Sequence, residues 1–267
     1  FKPREYQNLI INQILDKPRT AIWAGMGMGK TSSTLTALET MYLAGESRPT
    51  LVLAPLRVCN STWPEEAHKW AHLTEIDVQP VTGDEKNRLA ALKRDVSIYA
   101  CNYQNIPWLV DHYGAHWPFG TVVADESTRL KSFRLRQGGV RAQALAKVAH
   151  KNVKRFINLT GTPAPNGLQD LWGQTWFLDA GQRLGRTYSA FTDRWFCRTA
   201  DGFGRELRSQ SAADEIYNKL RDICLTIEAR DWFDLKEPIV KEIEVEMPRS
   251  ARRLYDQLKK DLILQIE

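Results

Sequence analysis

Short apolar runs punctuate the chain as far as Leu159. They fall at Thr20–Ala24, Thr50–Ala54, Val96–Ala100, Thr121–Ala124 and Arg155–Leu159, with a weaker run at Ile76–Val81. Each is rich in Val, Ile or Leu, and most close on a Gly, Pro or Asp signal, which predicts strands. The runs are apolar throughout rather than alternating, so the expected sheet is covered on both faces, as parallel sheets are. Between them, Arg4–Asp16, Lys30–Leu43, Trp63–Trp70, Glu85–Arg94 and Val140–Ala149 have helical patterning. Strand and helix in alternation predict right-handed βαβ units and an α/β, doubly wound, mainly parallel sheet.

After Leu168 the pattern changes. Leu171, Trp172, Trp176, Phe177 and Leu178 read as an aromatic helix, followed by Gly181–Gly185 and a second cluster at Tyr188, Phe191, Trp195 and Phe196. These rings predict a core-forming helical extension. Asp201-Gly202-Phe203-Gly204 reads as a turn. From Glu237, the alternation of Ile239, Ile243, Val245 and Met247 predicts a strand, with an amphipathic helix from Pro248 onward. The expected organisation is an α/β lobe over 1–168, a helical extension over 169–235 and a strand and helix linker over 236–267.

Composition narrows the class. A chain of 267 residues, 43% hydrophobic and 26% charged, has the make-up of a folded globular protein. No apolar run approaches the roughly 18 residues of a membrane span. Phe1-Lys2-Pro3-Arg4-Glu5 lacks the apolar region of a secretion signal, and Cys59, Cys101, Cys197 and Cys224 form no ligand cluster. A cytoplasmic, membrane-free setting is therefore expected. Charge is uneven: nine basic residues and no acidic one lie between Glu126 and Asp170, from Arg129, Lys131, Arg134, Arg136 and Arg141 through Lys147, Lys151, Lys154 and Arg155. Such a tract is either a solvated face or a surface for a polyanion.

Three sites carry the chemistry. Ala24-Gly25-Met26-Gly27-Met28-Gly29-Lys30-Thr31 sits between a strand and a helix, the arrangement of a phosphate-binding loop. Its glycines let backbone N–H groups turn toward a phosphate, and the helix N-terminus adds its positive dipole. Lys30 would reach the β- and γ-phosphates and the Thr31 hydroxyl would ligate Mg²⁺. An apolar strand ending in Asp125-Glu126 supplies a carboxylate for the metal and a second one to polarise water. Leu159-Thr160-Gly161-Thr162-Pro163, at a third strand end, offers the Thr160 and Thr162 hydroxyls near the same charge.

In this order the motifs resemble the first RecA-like lobe of superfamily-two helicases and translocases, most closely the Swi/Snf-type DNA-dependent ATPases of phage and bacterial kind. Phe1–Gln7 looks like the family's entry segment, which implies that Gln7, helped by Arg4, reads adenine. Leu53-Ala54-Pro55-Leu56 with Trp63-Pro64-Glu65-Glu66 is similar to the family's motif Ia and its continuation. Asp125–Ser132 resembles the DEAH segment, with Thr128 where the family carries His, and Leu159–Asn166 is close to LTGTPLQN. The resemblance implies ATP and Mg²⁺ as cofactors and a nucleic-acid partner, duplex DNA by preference. Its polymer contacts would be Leu56, Arg57, Asn102, Tyr103, Arg129 and Lys131. It also implies a second RecA-like lobe with an arginine finger, for which nothing before Glu267 is a counterpart, so the expected activity of this chain by itself is weak. Two other readings stay open on the residues: a nucleotide-gated binding module without turnover, and a P-loop kinase of small molecules.

Overall fold

The structure is a computed structural model that describes residues 2–199, 204–233 and 244–264, the last five of these by backbone only. Contacts divide the chain into two units, Phe1–Phe233 and Asp234–Glu267.

The first unit is built on seven strands: β1 Arg19–Ala24, β2 Thr50–Ala54, β3 Val78–Val81, β4 Ile98–Asn102, β5 Thr121–Asp125, β6 Arg155–Thr160 and, closing one edge, Cys224–Ile227. Their order is β3-β4-β2-β5-β6-β1 and then the Cys224–Ile227 strand, and every pairing is parallel. The expected doubly wound, RecA-like α/β sheet is borne out. Val96 and Ser97 stand outside β4, where the apolar run was expected to begin, and β4 extends to Asn102 instead.

The inner strands are largely apolar because each face meets its own helices. In β2, Leu51 and Leu53 join one core cluster while Val52 and Ala54 join the other; in β1, Ala21 and Trp23 divide from Ile22 and Ala24 in the same way. Helices α1 Glu5–Asp16, α2 Lys30–Leu43 and α3 Trp63–Lys69 cover one face. The other is covered chiefly by α5 Ile106–Tyr113, α6 Val140–Ala149 and α7 Asp170–Asp179, the short α4 Glu85–Leu92 adding Ala91. The period-2 geometry of a strand splits a uniformly apolar run between two cores.

Past α7 the chain forms α8 Tyr188–Trp195, a hairpin of β7 Phe196–Arg198 and β8 Arg205–Leu207, and α9 Gln210–Leu220. It then returns to the sheet as β9, the Cys224–Ile227 strand, beside β1. The segment expected to be a helical extension therefore also supplies a sheet strand. Its aromatic rings pack as expected: Phe133 lies 4.4 Å from Trp176 and 5.1 Å from Phe177 between ring centroids, and Phe191 lies 5.4 Å from Trp195. Of the expected Asp201–Gly204 turn, Asp201, Gly202 and Phe203 lie outside the described residues. In the second unit, the expected strand lies outside them as far as Ile243, and Val245 and Met247 have no regular secondary structure. The expected helix follows as α10 Arg249–Leu264.

The edge of the sheet where strands begin is closed by arginines. Arg19 donates to the carbonyls of Phe177, Ala149 and Val153; Arg48 to those of Pro118, Phe119 and Asn152; and Arg155 to those of Ile14 and Leu15. Guanidinium groups, with five donors each, suit the unpaired carbonyls at helix ends and turns. The opposite edge is where the candidate site lies, and α7 braces it at close quarters. A β-carbon on Gly173 of α7 would stand 2.4 Å from the Lys131 carbonyl oxygen, so the helix can lie there only without a side chain.

Gly173→Ala is therefore expected to destabilise the chain by about 1–3 kcal/mol through overpacking, read as a lower urea midpoint at unchanged m-value. An unchanged midpoint would contradict this close approach.

Candidate functional site

All seven strands point the same way, so their C-terminal ends lie along one edge. The turn leaving β1 is the Ala24–Thr31 loop expected to hold phosphate, that leaving β5 begins at Asp125-Glu126, and that leaving β6 is Thr160–Thr162. β6 lies between β5 and β1, so the three turns are neighbours. A β-carbon on Gly161 would lie 3.4 Å from the Ala24 carbonyl oxygen and 3.7 Å from the Met26 nitrogen, which places the Thr-Gly-Thr turn against the loop.

Within the loop, Gly27 and Gly29 have φ of 76° and 69°, the left-handed region that glycine tolerates. Gly29 is the residue before α2, and a β-carbon there would stand 2.2 Å from the Gln7 side-chain nitrogen. Gln7 is thus brought to the loop by α1, its side-chain oxygen accepting from the Arg4 backbone N–H at 2.9 Å. The Arg4 guanidinium lies 5.0 Å from the Phe233 ring centre. Met28 is buried in the core while Met26 is 92% exposed, so the two loop methionines serve differently: one anchors the loop and the other faces outward. Thr31 is half-buried in the first turn of α2.

Lys30 donates from Nζ to the carbonyls of Ala24 at 2.7 Å and Gly25 at 3.0 Å. Burial holds its pKa below the ordinary value, against an upward pull from Asp125 and Glu126. Across β6, Asp125 is 9% exposed, and burial pushes its carboxyl above the ordinary carboxylate range. The Trp63 hydrogen bond opposes that shift, the Glu126 charge adds to it, and Lys30 opposes it. Trp63, fully buried on α3, donates from Nε1 to Asp125 Oδ2 at 3.0 Å; Tyr103 donates from its hydroxyl to the Asp125 backbone oxygen at 2.9 Å. Glu126 has φ 57° and ψ 55°, a left-handed conformation that costs a residue with a β-carbon about 1–3 kcal/mol. The strain turns the chain sharply after β5, with Glu126 left half-buried at the tip.

The Asp125 carboxylate and the Thr31 hydroxyl are oxygen donors that suit a hard cation, and the Lys30 ammonium suits phosphate oxygens. Thr160 is buried and its hydroxyl oxygen accepts from the Thr162 backbone N–H at 3.2 Å; Thr162 is exposed.

The polymer residues expected from the sequence divide. Leu56, 51% exposed, and Arg57, also exposed, follow β2 at the same edge. Arg129 is exposed, with its guanidinium 6.0 Å from the Tyr103 ring. It lines an open hollow of about 480 Å³ with Glu126, Thr128, Lys131, Ser132, Arg141 and Pro165. Tyr103 does not present its side chain: it is 1% exposed and committed to Asp125. Asn102 is also buried, and its amide is shared with Gln104 and Asn105. Lys131 pairs with Asp170 at 3.0 Å. In the basic tract, Arg155 binds carbonyls at the opposite edge and Arg134 lies 3.4 Å over the Tyr188 ring. The tract is therefore a partial face rather than a continuous one.

With this geometry in place, comparison with known proteins decides the family. The family described as SNF2-related domain matches residues 19–267. The chain belongs to that family. It is 58% identical over its whole length to protein p41 of Acyrthosiphon pisum secondary endosymbiont phage 1, covering 59% of that protein. It is 26% identical to helicase SWR1 of Yarrowia lipolytica over 88% of the chain, covering 13% of that protein. The fold is shared with the SWI2/SNF2 ATPase core of Sulfolobus solfataricus, solved in complex with dsDNA: TM-score 0.67 at 24% identity, over 85% of this chain and 45% of that one. The chain thus spans less than two-thirds of each of these relatives. The SNF2 family resemblance expected from the motif order is borne out, and ATP use is a property of that family.

Sequence reasoning missed Trp63 as the partner of Asp125, although its segment was read as the continuation of motif Ia. It missed Phe233 beside Arg4 altogether, because residues so far apart carry no spacing signal. Burial as the main influence on Asp125 has a sign. A group whose folded pKa is raised contributes stability only at low pH and loses it as pH rises through the folded value. Ionised Asp125 therefore costs stability at neutral pH. Asp125→Asn is expected to raise the nucleotide-free Tm at pH 7 by about 2–5 °C, as relief of a strained functional site does. A lowered Tm would contradict burial as the main cause.

Proposed function

We propose that this chain is the ATP-binding motor lobe of an ATP-dependent DNA translocase or helicase. The observation that carries the reading is the meeting of three strand-end turns, with Lys30 and the Asp125–Glu126 pair on either side of Thr160–Thr162. Fold alone would not carry it, since function rests on the site.

In this reading the loop N–H groups and Lys30 hold the triphosphate, and Gln7 with Arg4 borders the base. Mg²⁺, held by Asp125 and Thr31 when bound, would neutralise phosphate charge during transfer. Lys30 carries its charge along the phosphates, so its carbonyl contacts with Ala24 and Gly25 are exchanged for phosphate oxygens. Glu126 orients a water for in-line attack on the γ-phosphorus and accepts its proton as the new P–O bond forms, while the bond to the β-phosphate oxygen breaks and ADP leaves. The Trp63 hydrogen bond favours the ionised form of Asp125 and aims its carboxylate, against the larger cost of its burial. Leu56, Arg57, Arg129 and Arg141 form the polymer face, contacting backbone phosphates without reading sequence. A second RecA-like lobe closing over the same nucleotide would complete the motor, its arginine supplying on the order of 10³–10⁵ in rate. The chain by itself would therefore turn over slowly.

Glu126→Gln should leave MgATP affinity within about threefold of wild type while lowering turnover about 10²–10⁴-fold, measured by calorimetry and phosphate release. Turnover at the wild-type rate would remove Glu126 from the reaction, and nucleotide-dependent DNA binding with no turnover in either form of the intact protein would favour a nucleotide-gated module instead. For the polymer face, Arg129→Ala should weaken binding to duplex DNA of any sequence and reduce the log–log salt slope by about one. Arg155→Ala should leave that slope unchanged and lower Tm, because its guanidinium holds the end of α1.

A further inference from the structure

We infer that Gln174, in the middle of the aromatic helix α7, is a positioning residue that ties the Asp125–Glu126 tip to the Thr160–Thr162 tip. The inference deepens the ATP reading and rests on it only for its effect on turnover.

Gln174 is 2% exposed in a helix whose neighbours Leu171, Trp172, Phe177 and Leu178 are core residues. A buried amide in such company is costly unless every end is bonded. Its Oε1 accepts from the Ser127 hydroxyl at 2.9 Å. Its Nε2 donates to the Pro163 carbonyl at 2.5 Å and to the Asp170 carbonyl at 3.2 Å. Its backbone oxygen accepts from Asn158 Nδ2 of β6 at 3.0 Å. The amide is thus satisfied at both ends by two separate turns.

Those two partners have particular places in the chain. Ser127 directly follows Glu126, the residue held in the left-handed conformation, and Pro163 directly follows Thr162. One neutral group, offering an acceptor to one turn and a donor to the other, spans between them. An ionised side chain could not do both. The helix that carries it is itself fixed to the same region by the close approach at Gly173 and by the Lys131–Asp170 ion pair. α7 therefore acts as a rigid yoke. A displacement of either tip must move the other or break a buried hydrogen bond, and in a low-dielectric interior the second course is the more costly.

Amide hydrogen exchange on the 267-residue chain tests the tie without nucleotide. The variants are Ser127→Ala, Gln174→Met, which keeps side-chain length, and the two combined. Each single change should speed exchange at Thr162 and Asn166 by about tenfold, and the double variant should be no faster than the singles, as expected of groups acting through one contact. Exchange at those amides unaltered by Ser127→Ala, or effects that sum in the double variant, would overturn the tie. In the intact protein with duplex DNA, Gln174→Met should lower kcat about tenfold with the KM for MgATP within about twofold; equal losses in both would assign Gln174 a general structural role. Absence of ATP uptake by wild type would defeat the proposed function, while the exchange arm would still decide the tie.

Discussion

Seven strands running in one direction impose a polarity on everything else in this molecule. Each turn leaving a strand emerges at one edge, and each connection back arrives at the other. The order of the strands then decides which turns are neighbours. The turns after β5, β6 and β1 adjoin, and those after β4 and β2 continue the row on one side. The Ala24–Thr31 loop, the Asp125–Glu126 tip and the exposed Leu56–Arg57 turn are therefore placed along one edge by topology, before any side chain is considered.

The two edges are treated differently by the physics of burial. At the edge where strands begin, Arg19, Arg48 and Arg155 satisfy carbonyls that would otherwise be left unpaired. At the other edge the protein retains costs: a buried carboxylate at Asp125, a lysine held below its ordinary pKa, and a left-handed glutamate. Such costs persist only when surrounding structure holds them, and here Trp63, Tyr103 and α7 do so. Their concentration at one edge is what a site built for a highly charged ligand requires.

Much of this was legible in the sequence, and for identifiable reasons. Of the six strands through β6, all but the edge strand β3, Val78-Gln79-Pro80-Val81, are largely apolar because both faces are covered, and that pattern is visible along the chain. The phosphate loop and the Asp125-Glu126 tip are local motifs, so their positions at strand ends could be foreseen. β9 could not be foreseen, because Cys224–Ile227 is a short edge strand with only Ile227 fully buried. Tyr103 and Asn102 were expected to face a polymer, yet the Tyr103 hydroxyl is turned inward to Asp125 of β5 and the buried Asn102 amide bonds Gln104 and Asn105 of its own turn. The basic tract misled in part because charge along a chain does not reveal direction: Arg155 and Arg134 are used internally. The Trp63–Asp125 and Ser127–Gln174–Pro163 contacts join residues far apart in sequence, and nothing in spacing announces them.

The central claim is that the lysine of the β1 loop and the aspartate at the end of β5 act on one and the same metal-bound triphosphate. A double-mutant cycle on equilibrium binding of MgATP, with Lys30→Ala, Asp125→Ala and the two together, measures this directly. The account predicts a coupling energy above about 1 kcal/mol, since both side chains then address a shared ligand. Strictly additive losses would mean that the two tips act on separate ligands, and would contradict it.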